Sequence, residues 1–371
     1  MSRVLLVTIA LVNRSGTEVV CCETAHGLRK RNHDVSIYTQ HAGPTADSLR
    51  ADGFQVITNL ASLTSAPEVI QSNQTYPLLE VVGRFPSIPA ISICHDATVW
   101  FNEPIDLPSI RRHVAVDLAC RARIVDRFVH LGEQVEILHN AVDLDRFQSR
   151  PPLPARPRRA LILAKQSNYL DAVRSACLQR GIDVDAFGPA VGNEIDNLPS
   201  LLGDYDLVFA TARSALEAMA VGCAVIVIDG RGLAGLVTRD VVPLWHQNNF
   251  GLRLLSRPIL PESIAAEADR YDPMDARFVS AFIRKHSSLD SYLDRLERMH
   301  SDIIVEGAAM TVDKDVLIYC MSQSFRSLVT AQQAQMQAEF QAAIQSCNAR
   351  LATRNLVRRI KQRVRRLLFR T

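Results

Sequence analysis

The sequence contains no pair of cysteines spaced as CxxC, and its eight cysteines are scattered along 371 residues. Several of them, including Cys94 and Cys223, lie within apolar runs, where buried free thiols are usual. This pattern is typical of a reducing compartment, so a cytoplasmic protein is expected. No apolar run reaches the length of a membrane span. The run VLLVTIALV near the first residue lacks a cleavage pattern after it, and we interpret it as a strand.

Several common site motifs are also absent. The sequence has no GxGxxG, no GxxxxGK followed by Ser or Thr, and no GxSxG. A nicotinamide site, a P-loop and a hydrolase nucleophile elbow are therefore unsupported. The ten histidines form neither HExxH nor a cluster with cysteine, so no metal and no cofactor is predicted.

Acidic residues are absent from residues 354–371, which carry eight Arg or Lys. Without those eight charges, the net charge of +3 becomes −5 for the rest of the chain, so no nucleic-acid partner is expected. Leu356, Ile360 and Val364 recur at helical spacing between these cations. Such a helix suits an anionic membrane surface, but it could equally pack on its own protein or on a second subunit. The basic side chains predicted to make this membrane or partner contact are Arg358, Arg359, Lys361, Arg363, Arg365 and Arg366.

Apolar strands alternate with amphipathic helices through most of the sequence. This rhythm predicts an α/β protein with doubly wound parallel sheets. The segment SRPPLPARPRR (149–159) holds four prolines and predicts a linker. We therefore expect two Rossmann-like domains, at 1–150 and 151–305, with a ligand cleft between them. A helical tail is predicted at 306–371, and its Gln/Ala-rich part could self-associate into a homo-oligomer.

The stretch ARSALEAMA (212–220) predicts a helix between two buried parallel strands, YDLVFAT and CAVIVID. A helix N-terminus at the carboxyl end of a parallel strand can bind an anion such as a diphosphate. Glu217, one turn into this helix, could accept hydrogen bonds from a ribose. It could also be a solvated acid of an ordinary βαβ unit.

Other polar residues are predicted at the same edges of the two sheets. His95 and Asp96 end the apolar strand PAISICHD, where they could act in catalysis or merely cap a loop. Lys165 ends the first strand of the second half and could neutralise a phosphate, as could Arg213. Both could instead be solvated residues at the rim of the cleft.

In order along the chain, SGTE (15–18), ICHD (93–96), LHNAVDLDRF (138–147) and SALEAMAVGCAVIV (214–227) resemble four motifs of glycosyltransferase family 4. The resemblance implies a GT-B fold, an acceptor side in the first domain and a nucleotide-sugar donor, linked to UDP or GDP, in the second. It implies that Glu217 holds the donor ribose. It also implies that the backbone of Ser214, Ala215 and Leu216 holds the diphosphate. Gly16 would let the first turn approach that diphosphate, and His95 would lie beside the sugar and the acceptor.

Two departures from the family pattern are visible in the sequence. Phe209 stands where the family commonly has a second acid, and the phosphate motif of the second domain is reduced to LAKQSN (163–168). The expected function is transfer of a hexosyl group, with retention, to a polysaccharide or lipid-linked acceptor in cell-surface glycan synthesis. The expected location is the cytoplasm or the inner face of the cell membrane. A non-catalytic binding module and a nucleotide-sugar epimerase of the same fold remain alternatives.

Overall fold

A computed structural model describes residues 1–13, 15–193, 197–307 and 313–368, with side chains up to residue 344. It contains two β-sheets, each covered by helices on both faces. The strands of the first sheet are β1 (Arg3–Leu11), β2 (Asp34–Ala42), β3 (Gln55–Ile57), β4 (Val69–Ser72), β5 (Ala90–Cys94), β6 (Ile110–Ala115) and β7 (Glu136–Ile137). The helices between them are α1 (Gly16–Lys30), α2 (Pro44–Ala51), α3 (Thr75–Arg84) and α4 (Leu118–Arg127).

The first sheet is entirely parallel, in the order β3-β2-β1-β4-β5-β6-β7. Alternate residues of β1 enter opposite cores, with Val4 and Leu6 on one face and Leu5 and Val7 on the other. Burial of both faces explains why β1 is a nearly continuous apolar run. The order reverses at β1 and β4, which creates a crevice at the carboxyl ends of the strands.

The second sheet has the order β12-β11-β10-β8-β9 and is parallel except at one edge. Its edge strand β12 runs antiparallel to β11, which the sequence pattern did not predict. The strands are β8 (Arg159–Leu163), β9 (Asp183–Phe187), β10 (Leu207–Ala210), β11 (Ala224–Asp229) and β12 (Gly232–Leu236). The helices of this half are α5 (Leu170–Leu178), α6 (Leu198–Leu202), α7 (Ala212–Val221), α8 (Val242–Gln247), α9 (Pro261–Ala268) and α10 (Pro273–His286).

The chain passes between the two sheets twice, and the two crossings are bonded to each other. The amide of Val142 donates to the carbonyl of Ser287 at 2.8 Å, and the amide of Leu289 donates back to Val142 at 2.9 Å. Helix α11 (Leu289–Gly307) follows the second crossing. All but its last two residues lie within the range predicted for the second domain, 151–305, but its buried face packs into the core of the first sheet.

A single helix, α12 (Lys314–Leu368), forms the C-terminal part of the chain. It includes the apolar stretch VLIYCM, for which the sequence suggested either a strand or a buried segment. Leu317 and Leu328 bury one face of α12 against the first domain. No helix in the described parts of the chain is long and apolar enough to cross a membrane. The predicted basic contact residues from Arg358 to Arg366 lie outside the side chains that the structure describes.

Candidate functional site

The predicted site residues lie at the carboxyl ends of strands from both sheets. Lys165 is the second residue after β8, and His95 and Asp96 directly follow β5. Asp229, which was not predicted, ends β11. Helix α7 begins directly after β10, with only Thr211 between them. The two domains meet at the cleft of the fold, where a residue of α1 in the first domain bonds to a residue of α7 in the second.

That contact is made by Arg213, which lies between two carboxylates. Its Nη2 donates to Oε1 of Glu23 at 2.6 Å, and its Nε donates to Oε1 of Glu217 at 2.8 Å. All three side chains are buried, with 9% of Arg213 and 8% of each glutamate exposed. Arg146 adds a second cation 3.8 Å from Glu23. The structure therefore brings together the predicted Arg213 and Glu217, but it engages the guanidinium in two ion pairs.

The ion pairs set the charges of this cluster. Burial raises the pKa of Glu217, and the adjacent Arg213 opposes that rise. Burial would lower the pKa of Arg213, but Glu217 and Glu23 outweigh it and the pKa is raised. Arg213 therefore remains a cation at the centre of the cleft.

His95 is close enough to the same guanidinium for the charge of Arg213 to affect it. Burial, together with the charge of Arg213, lowers the pKa of His95 to about 4. Its imidazole is therefore neutral at pH 7. The Nε2 atom lies 3.3 Å from Oδ1 of Asn73, which follows β4. An amide oxygen only accepts, so this pairing puts the ring proton on Nε2 and leaves Nδ1 as an acceptor.

Asp96 organises the loop that follows β5. Its Oδ1 accepts from the amide and the hydroxyl of Thr98, both at 2.6 Å, and from the amide of Val99 at 3.2 Å. This is the loop-capping role that the sequence left open beside a catalytic one. The carboxylate also acts across the cleft, because Asp229 and then Asp96 raise the pKa of Arg231.

Lys165 reaches into the cleft from the second domain. Burial lowers its pKa, Arg231 adds to that effect, and Asp229 and Glu217 oppose it. The residue is nevertheless exposed. The protein that surrounds it in the cleft lowers the pKa without closing the side chain off from solvent. Next to it, Nη2 of Arg231 donates to Asp229 at 2.6 Å. Lys165 and Arg231 thus place two cations along one edge of the sheet.

The first turn of α7 has an unusual backbone. Ala212 has a φ of +52°, and Asn249 and Phe250 beside it have φ of +51° and +50°. Residues with side chains rarely adopt this conformation, and such strain concentrates at functional sites. The Ala212 amide donates to the carbonyl of Phe250 at 2.9 Å, and the Thr211 hydroxyl donates to Asp229 at 3.3 Å.

The amides at the second and third positions of an α-helix have no carbonyl partner within the helix. In α7 these are the amides of Arg213 and Ser214. An α-helix uses the amides of the following two residues internally, and the side chains of Ala215 and Leu216 are buried in the core. A diphosphate contact is therefore better supported at Arg213 and Ser214 than at the later residues of the predicted set.

Gly16 begins α1 at the carboxyl end of β1. A side-chain carbon added at this glycine would meet no atom of the described residues within 4 Å, so they leave the space in front of the turn open. Oε2 of Glu18 holds the turn by accepting from the amides of Val12 at 2.6 Å and Asn13 at 3.0 Å. The geometry leaves room for a ligand near Gly16.

Phe209 lies inside β10, fully buried, and pairs with Ile162 and Ile226 of the neighbouring strands. A carboxylate at this position would enter the core of the second sheet. Asp229 and Glu23 are acids near the cleft that the sequence reasoning missed. Asp229 ends an apolar strand, as the predicted Asp96 does. Glu23 falls on the apolar stripe of α1, three residues after Val20, and a polar residue at a core position is itself a signal.

Comparisons with known proteins identify the fold. No family model matches the sequence, and no curated protein matches it. Among solved structures, a glycosyltransferase from Rickettsia africae ESF-5 superimposes with a TM-score of 0.57 at 12% identity, covering 82% of this chain and 98% of that one. AviGT4, a glycosyltransferase involved in avilamycin A biosynthesis, gives 0.52 at 13%, covering 82% and 99%.

A third solved structure, an alpha-glucosyltransferase in complex with UDP and a 13-mer DNA, gives a TM-score of 0.52 at 9% identity, covering 82% of this chain and 99% of that one. At these identities the likeness establishes the architecture alone. Together with the two doubly wound sheets, it confirms the predicted GT-B fold.

Proposed function

We propose that this GT-B protein is a glycosyltransferase that uses a UDP- or GDP-linked sugar as its donor. The observation that carries the proposal is the buried Arg213–Glu217 pair at the N-terminus of α7, whose guanidinium also acts on His95 of the first domain. A carboxylate, a helix N-terminus and cations converge there, and these groups suit a ribose and a diphosphate.

In this proposal the second domain holds the donor. Glu217 keeps one oxygen on Arg213 and accepts the ribose hydroxyls with the other. The amides of Arg213 and Ser214 contact the diphosphate, and the open turn at Gly16 approaches it from the first domain. Lys165 supplies a positive charge near the phosphates from the end of β8.

The chemical step requires stabilisation of the leaving diphosphate as negative charge develops on it. Fixed cations and oriented amides do this without rearranging during the reaction. Lys165 and Arg231 supply two such cations, and the first turn of α7 supplies the amides. These groups belong to one edge of the second sheet, so they act on the donor side of the cleft.

The acceptor would lie on the first domain, beside His95 and the loop that Asp96 holds. A neutral His95 with Nδ1 free is suited to accept a hydrogen bond from an attacking hydroxyl. We propose hexosyl transfer with retention, because a front-face attack needs no protein nucleophile and Oδ1 of Asp96 is already used by its loop. The acceptor is a polysaccharide or lipid-linked glycan, met in the cytoplasm or at the inner face of the cell membrane.

A thermal-shift screen of nucleotide sugars, followed by product analysis, tests the proposal, since a ligand of the folded state raises its stability. We expect a UDP or GDP sugar to bind, and Glu217→Ala to abolish transfer while the protein stays folded. Glu262→Ala, which changes an exposed acid in the first turn of α9, is the matched control. Unchanged transfer by folded Glu217→Ala would contradict the assignment of the site.

The alternatives give different outcomes in the same screen. A protein that binds no nucleotide at all would be a non-catalytic module of this fold. A protein that converts a nucleotide sugar without any acceptor would be an epimerase. The anomeric configuration of the product, measured by NMR, tests the proposed retention.

A further inference from the structure

Helix α12 has two apolar faces, and only one of them is covered. Leu317, Ser324 and Leu328 are buried against the first domain. Large apolar side chains on a different face are exposed, with 58% of Phe325 and 65% of Phe340 accessible. The members of this exposed stripe are Ile318, Phe325, Met336 and Phe340.

The stripe residues follow the helical period. Their spacings of seven, eleven and four residues are each close to a whole number of turns, so the side chains project from one side of the helix. From Ile318 to Phe340 the stripe extends about 33 Å along the axis. Exposed apolar side chains aligned on one side of a helix over this length mark an interaction surface.

The charges along α12 indicate what this surface contacts. Between residues 316 and 349 the only charged side chains are Arg326 and Glu339. The helix then continues into the segment 354–371, with its eight cations and no acid. An apolar stripe in line with a strongly basic segment is typical of helices that lie in the interface of an anionic bilayer.

A second copy of the chain fits this charge distribution poorly. Two parallel copies of α12 would bring their basic segments together, and the repulsion would oppose pairing. Two antiparallel copies would set each basic segment against residues 316–349, which offer one acid, Glu339. An anionic bilayer offers negative headgroups to the basic segment and an apolar interior to the stripe.

We propose that α12 is a lipid-binding element, which lays the stripe from Ile318 to Phe340 into the interface of an anionic bilayer. The basic segment beyond it, including Arg358 to Arg366, binds the headgroups. The bilayer thus covers a face of α12 next to the one that packs on the first domain, about 100° around the helix axis.

This surface is connected to the candidate active site. Oε1 of Gln335 on α12 accepts from the amide of Trp100 at 3.0 Å, and Ser327 lies 3.3 Å from Glu103. Both contacts are to the loop that begins at Asp96. The loop is also held by Arg123, which donates to the carbonyl of Val99 at 2.8 Å. The contact of α12 with this loop favours a lipid-linked acceptor that enters the cleft from the bilayer. This part of the inference rests on the proposed function.

Cosedimentation of the full chain with vesicles tests the lipid contact without any need for activity. The vesicles are phosphatidylcholine alone, or phosphatidylcholine with phosphatidylglycerol. We expect binding only to the anionic vesicles, weakening as salt is raised. The double variant Phe325→Gln/Phe340→Gln should bind about tenfold more weakly or worse. The control Met274→Gln/Phe278→Gln, which removes exposed apolar groups from α10, should bind like the unmodified protein.

The outcomes separate this proposal from its rivals. Equal vesicle binding by the stripe variant and the unmodified protein would overturn it. So would an absence of vesicle binding combined with a dimer, seen by analytical ultracentrifugation, that the stripe variant loses. Vesicle binding without nucleotide binding would support the lipid contact and reject the glycosyltransferase.

Transfer assays test the link to the acceptor once an acceptor is found. The stripe variant should lose transfer to the acceptor anchored in vesicles and keep transfer to the same acceptor dispersed in detergent. Equal loss with both forms of the acceptor would overturn the link.

Discussion

The guanidinium of Arg213 donates to the carboxylate of Glu23 across the cleft, at 2.6 Å, while it also donates to Glu217 beside it. This one side chain joins the first helix of one domain to the candidate donor helix of the other. A cation shared by two buried carboxylates bonds to each of them, and removing either acid leaves a buried N–H of Arg213 without its acceptor. Glu23 is therefore a positioning residue for Arg213.

Glu23→Gln should destabilise the protein by about 1 to 3 kcal/mol, because a buried ion pair becomes a neutral hydrogen bond. The free energy of unfolding from urea denaturation measures the loss. Glu68→Gln is the control, since Glu68 pairs with Arg3 at the surface and its loss should cost about 0 to 1 kcal/mol. Equal losses in the two variants would show that the cross-cleft pair adds nothing to stability.

Gly16→Ala should leave stability unchanged and weaken donor binding. The new methyl group meets no atom within 4 Å among the residues that the structure describes, but it occupies the open space where the diphosphate is proposed to lie. Isothermal titration with the donor nucleotide, together with a melting curve, separates the two effects. Unchanged donor affinity would contradict the approach of this turn to the phosphates.

Gly222→Ala should destabilise the protein by about 1 kcal/mol or more, because Gly222 ends α7 with a φ of +106° that alanine rarely adopts. Thermal unfolding measures the shift. A melting temperature equal to that of the unmodified protein would show that the end of α7 tolerates a side chain.

Lys165→Met should lower kcat by about a hundredfold, as expected for one group that stabilises the leaving diphosphate. The substitution keeps most of the side-chain volume, so the fold should be unaffected. Arg174→Met, on the exposed face of α5, is the matched control and should retain full activity. A normal kcat in Lys165→Met would place the diphosphate elsewhere.

Stability should fall as the pH is lowered from 7 to 5, in part because of His300. This side chain is 1% exposed, and burial lowers its pKa from 6.5 to about 3. Below pH 6.5 this histidine binds a proton in the unfolded chain but not in the folded chain. The free energy of unfolding is therefore lower by roughly 2 kcal/mol at pH 5. Urea denaturation at several pH values measures the slope. His300→Gln should flatten it, while the same change at the exposed His41 should not; an unchanged slope in His300→Gln would assign the effect to other groups.

The architecture followed from the sequence because its signals are local. Strands such as β10 and β11 are buried on both faces and therefore appear as apolar runs. The direction of β12 was not predictable, because the short stretch GLAGL carries two glycines and no clear period. The partner of α11 was not predictable either, since an amphipathic period shows that a face is buried but not against which core.

The candidate site was predicted in part. The rule that polar residues at the carboxyl ends of strands line the crevice pointed to His95 and Lys165, and it applies equally to Asp229. The pairing of Arg213 with Glu23 depends on residues 190 positions apart and on how the two domains meet. No local pattern encodes that distance, although an acid on the apolar stripe of α1 indicated an unusual environment.

The central claim is that Glu217 and the start of α7 hold the nucleotide of a sugar donor. Isothermal titration of UDP and GDP into the unmodified protein and into Glu217→Gln tests it most directly, with circular dichroism to verify folding. We predict that one of the two nucleotides binds the unmodified protein and that Glu217→Gln weakens its affinity by about tenfold or more, as for loss of a hydrogen bond to a charged group. The same affinity in both proteins, or binding of neither nucleotide, would contradict the account.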